Sequence, residues 1–98
     1  MTKRRARITW SPDQVRLGLP PISEIVDPCW LDDTVPVTRE GWSLVCRFDP
    51  PPHEQGNPST ALVHFLVDNA PHERLRPGAS LRLFERGTGA YANVEILE

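Results

Sequence analysis

The chain has 98 residues, room for one domain and a single hydrophobic core. Hydrophobic residues make up 39% and charged residues 24%, an ordinary globular balance that excludes a collagen, a coiled coil or a wholly disordered tail. Eleven prolines and six glycines are too many punctuators for a helical bundle, and no apolar run approaches the ~20 residues of a membrane-spanning helix.

The charge is unevenly spread. Lys3, Arg4, Arg5 and Arg7 give the first seven residues +4, which leaves −6 for the remainder of a chain whose net charge is −2. A basic arm over residues 1–4 on an acidic body either holds a phosphate backbone or merely flanks the first strand and keeps it in solution. Cys29 and Cys46 have no CxxC spacing, so neither a zinc knuckle nor a thioredoxin motif is present. With no apolar stretch behind the basic start, a reducing, cytoplasmic setting with both thiols free is the expectation.

Residues 4–10 alternate Ala6, Ile8 and Trp10 against Arg5, Arg7 and Thr9, the period of a half-buried strand. Ser11-Pro12-Asp13 reads as a turn, and residues 14–33 as a long connection with a short strand near 22–26. Val35 to Val37 fits an edge strand, because Pro36 cannot donate to a ladder. Residues 42–48 form a strand with Trp42, Leu44, Cys46 and Phe48 on its buried face. Four prolines and a glycine make 50–59 a loop, with too few flanking cations to serve as a polyproline ligand. Residues 60–68 are apolar on both sides: Ala61, Val63, Phe65 and Val67 face one way, Leu62, His64 and Leu66 the other. Pro77 and Gly78 suit the middle of a type II turn. Residues 80–85 and 90–97 read as the two strands of a hairpin, with Ala90, Ala92, Val94 and Ile96 inward. No stretch has a helical period. The fold class is all-β, a single small antiparallel barrel, closed or partly open, over residues 1–98.

The order of motifs adds a likeness. Ala6-Arg-Ile-Thr-Trp10, then a Trp-containing strand, a glycine-bearing loop, an aliphatic strand, Leu75-Arg-Pro-Gly78 and Leu81-Arg-Leu-Phe-Glu-Arg-Gly87 follow one another along the chain. This resembles the third, C-terminal β-barrel domain of elongation factor Tu, over most of the chain and most strongly at its two ends. Val15-Arg16-Leu17-Gly18 stands where that family carries Gly-Gly-Arg, and Glu85-Arg86-Gly87 where it carries Arg-Glu-Gly. The resemblance implies a barrel and a partner-binding role, since that barrel contacts transfer RNA and the exchange factor. There is no GxxxxGK[ST] loop, so no nucleotide is expected.

Catalytic signatures are missing. His53, His64 and His72 lack the local spacing of metal ligands. Ser59, His64 and Asp68 have the residue types of a triad without a nucleophile elbow. Gly87-Thr-Gly89 has no helix behind it to hold a phosphate. The expectation is therefore a non-enzymatic module with no cofactor and no metal, bound to a protein partner as an immunity-type, adaptor or translation-associated accessory. Trp30 beside Asp32 and Asp33 is the candidate contact, if Trp30 is an exposed anchor rather than core. The alternative is RNA binding through Lys3, Arg4, Arg5 and Arg7 together with Arg82 and Arg86, if pairing brings these arginines into one stripe.

Overall fold

Alternation decides the first strand. β1 (Arg4–Trp10) buries Ala6, Ile8 and Trp10 and turns Arg5, Arg7 and Thr9 outward. The computed structural model describes residues 3–31, 42–85 and 89–97. Five more strands follow: β2 (Glu24–Leu31), β3 (Trp42–Phe48), β4 (Ser59–Phe65), β5 (Ser80–Glu85) and β6 (Gly89–Ile96). All pair antiparallel and close into a barrel in the order β1-β4-β3-β2-β5-β6. Closure pairs every wall strand on both sides and removes the exposed edge that an open sheet would carry.

The two connections that skip neighbours cross opposite ends. β1 reaches β2 over one end through a short helix, α1 (Pro12–Leu17), and β4 reaches β5 over the other through a 3₁₀ turn at His72–Arg74. Trp10 fills the first end, its ring centroid 5.9 Å from Phe48 and 6.1 Å from Tyr91. Its indole Nε1 donates to Ser59 Oγ at 3.0 Å, and that hydroxyl donates to the Gly56 carbonyl at 2.6 Å. The buried Ser59 is thereby satisfied on both counts. Phe65, Ala70, Leu75 and Leu81 belong to the same continuous core.

Several local expectations change. Ser11 is not a simple turn residue: its side chain accepts from the Gln14 amide and caps α1, Pro12 opens the helix, and Gly18 at φ +105° ends it. α1 buries none of its residues, so no 3.6-residue apolar period existed to be read. β2 runs on through Pro28, whose partner on β3 is Ser43, while the β2–β5 ladder begins only at Cys29. Pro28 thus has a ladder on one side only, which is why its missing N–H is tolerated. The 50–59 loop holds a one-turn helix, α2 (Pro52–Gln55), with Pro52 buried. Gln55 ties it down by donating to the Pro50 and Thr60 carbonyls and accepting from the Thr60 amide. β4 ends at Phe65, so Val67 is exposed rather than inward. A bulge opposite Leu83 and Phe84 leaves Tyr91 without a direct partner, and beyond it Ala90 is exposed while Ala92, Val94 and Ile96 stay buried. The edge strand expected at 35–37 lies outside the described residues.

The turn at 76–79 matches its sequence: Ala79 N–H donates to the Arg76 carbonyl at 2.9 Å and Gly78 sits at φ +88°. A methyl group at Gly78 meets nothing within 4 Å, so Gly78→Ala costs only its backbone strain, about 1–2 kcal/mol. Urea unfolding should show that loss as a lower midpoint at unchanged slope.

Candidate functional site

Several of the chemistry-bearing side chains are taken up by the fold. Cys29 and Cys46 are buried and unpaired. Burial pushes the Cys29 thiol up to about 12 and the Cys46 thiol higher still, with minor help from nearby Cys29 and Asp27, so neither is a nucleophile at neutral pH. Ser59 and His64 are five apart on β4 and face opposite sides, Ser59 buried inside. His64 Nδ1 lies 2.9 Å from the Phe65 carbonyl and His72 Nε2 3.0 Å from that of Asp68. Since a carbonyl can only accept, these are the ring nitrogens that carry the proton. Among the described residues no group of three histidine, cysteine or carboxylate side chains is arranged to hold a metal ion.

Trp30 is neither core nor free. It is half-buried on the outer wall, tilted against Phe84 with ring centroids 5.1 Å apart, and Arg82 lies over the other ring at 6.0 Å. Asp32 and Asp33 lie outside the described residues, as does Arg86.

The arginines separate. Arg4 shares the inward-facing side of β1 with Ala6 and is half-buried, while Lys3 and Arg5 are exposed. Arg7 is paired with Glu95 of β6 at 2.7 Å. β5, which carries Arg82, does not pair with β1, because β6 with Glu95 and Asn93 runs between them. Arg82 and the N-terminal cations therefore do not share a stripe. Arg5 instead joins Arg47, a residue that sequence reasoning missed: both are register partners of Leu62 on β4. Only the β1–β4–β3 register, a long-range fact, reveals that row.

A second concave region lies where α1 passes over the hairpin. Two adjoining cavities of about 390 and 380 Å³ share Gln14, Leu17, Glu85 and Tyr91 in their walls. Asp13 and Arg16 border one of them, Pro20, Ile22 and Asp27 the other. The Tyr91 hydroxyl donates to the Asp27 carboxylate. Burial, and then that carboxylate, push the Tyr91 hydroxyl far above its ordinary value, so Tyr91 stays protonated. Leu17 is 83% exposed and Ile22 53%, a large apolar rim over an acidic wall.

No family model, curated protein or solved structure matches the chain. The likeness to the elongation-factor barrel rests on the sequence motifs alone.

Proposed function

We propose that the chain is a protein-binding module of adaptor type, and that its partner docks in the groove between α1 and the β5–β6 hairpin. The observation that carries this reading is α1 itself. It is capped at both ends yet buries no residue, and it presents Val15 and Leu17 to solvent. Exposed apolar side chains beside a groove are the kind of surface that a partner covers. Asp27 and Glu85 line the same groove as Leu17, so the occupant of matching chemistry is a segment with an apolar anchor beside a lysine or arginine. Among the described residues the closed wall leaves no unpaired strand edge, which favours side-chain recognition in a groove as the mode.

Selection of a phage-displayed random peptide library against the full chain tests this. Enriched peptides should pair an apolar residue with a cation and lose at least about tenfold in affinity against Leu17→Glu, while Leu62→Glu on the far wall leaves them unaffected. Peptides that bind Leu17→Glu equally well, or no enrichment at all, would overturn the proposal. So would sedimentation showing a dimer that Leu17→Glu abolishes, which assigns the groove to a second copy.

A further inference from the structure

A further concavity faces away from α1. It lies on the β1–β4–β3 wall, has a volume of about 580 Å³, and is lined by Lys3, Arg5, Ser23, Arg47, Thr60 and Leu62, with Asp49 at its lip. β4 runs along its centre and stands three strands from β5 in either direction around the six-stranded ring, so this groove and Glu85 occupy opposite sides of the barrel.

Its build is specific. Arg5 and Arg47 are both register partners of Leu62, which sets the two guanidinium-bearing strands roughly 10 Å apart at ordinary interstrand spacing. Leu62 between them is 47% exposed and forms an apolar floor. Lys3 adds a third cation two residues before Arg5, on the same side of the extended chain. Arg47 is ion-paired with Glu24 through Nε at 3.7 Å, beyond hydrogen-bond length. Three cations, set against Asp49 and the Glu24 that is ion-paired with Arg47, stand with two hydroxyls around a small-molecule volume, and the flanking arginines suit two separated anionic groups.

We infer that this groove binds a small ligand carrying two or more phosphate groups, held between Arg5 and Arg47 over Leu62. The site is independent of the docking groove on the other side of the barrel. The two differ in the sign of the charge they select.

The test is an NMR titration of the ¹⁵N-labelled full chain with inorganic pyrophosphate and, separately, inorganic phosphate. Pyrophosphate should shift the amides of residues 3–5, 23, 47 and 60–62, and bind more tightly than phosphate. Arg5→Ala and Arg47→Ala, both exposed positions that leave the core intact, should each weaken binding by at least about fivefold. Arg16→Ala, on α1, should not. Equal binding by the Arg47→Ala protein, shifts spread over every arginine, or equal affinity for phosphate and pyrophosphate would each overturn the inference. A ten-nucleotide single-stranded RNA that binds more tightly than pyrophosphate, with shifts reaching Arg82, would replace the small ligand with a nucleic acid.

Discussion

Replacing Phe65 with alanine is expected to cost about 3–5 kcal/mol, the range for removing a fully buried phenyl ring. Phe65 is 0% exposed, lies opposite Leu44 in the β3–β4 ladder, and packs edge-on against His72 with ring centroids 5.7 Å apart. It therefore couples the wall to the 3₁₀ turn of the β4–β5 crossover, and the cavity left by truncation opens beneath that crossover. Domains of this size are stable by roughly 5–15 kcal/mol, so the loss removes a large share of the total. The melting temperature should fall by at least about 12 °C, at the usual 4–8 °C per kcal/mol for a small domain. Leu62→Ala, three residues away on the outer face of the same strand, should change stability by no more than about 1 kcal/mol. If the two variants melt together, the inside of β4 has been assigned to the wrong residues.

The contrast between Phe65 and Leu62 also shows what the sequence could reveal. β1, β3 and the first part of β4 were legible because residues 6, 8, 10, 44, 46, 48, 61, 63 and 65 fall two apart and are all buried, although in β3 Trp42 is only half-buried and Val45 is buried as well. The Pro77–Gly78 turn was legible because only one backbone type suits that pair. α1 was not, because its stability comes from the Ser11 cap and Gly18 rather than from an apolar stripe. The length of β2 was hidden by Pro28, whose tolerance depends on where β5 begins to pair. The inward alternation of β6 failed at Ala90 for a similar reason, since a bulge is a property of two strands together.

The surface sites were less legible than the fold. Lys3 and Arg5 were visible as part of a basic arm, but their companion is Arg47 rather than Arg82. That choice follows from the strand order alone. Likewise Leu17 reads as one apolar residue in a poorly patterned stretch, until the helix around it proves to bury nothing. Sequence periodicity reports what points inward. A binding groove is made of side chains that point outward from different strands, and no local pattern marks them. The resulting barrel has an acidic, apolar-rimmed groove at α1 and a basic groove on the opposite wall, a separation of charge that the net value of −2 conceals.

Between pH 8 and pH 10.5 the domain is expected to lose about 2 kcal/mol of stability for each buried thiol. In the unfolded chain Cys29 deprotonates around its ordinary value of 9.0, whereas burial in the native barrel pushes it up to about 12. Over that window the native state holds a proton that the unfolded state has released. Rising pH therefore favours unfolding, with a slope approaching 1.4 kcal/mol per pH unit for each such group. Cys46 is raised further, by the same desolvation and then by Cys29 and Asp27, so it contributes throughout the same range. Tyr91, raised by burial and by its bond to Asp27, adds its share once the pH passes the ordinary phenol value of 10.0. Below about pH 8 all three are protonated in both states and contribute almost no slope. Urea unfolding at pH 8, 9, 10 and 10.5 measures the slope directly, and Cys29→Ala should remove one thiol's share of it while leaving the rest. A stability that is flat to pH 10.5, together with native thiols that react with a disulfide reagent at pH 8, would mean that Cys29 and Cys46 are not in the core. The inward face of β2 and β3 would then have to be reassigned.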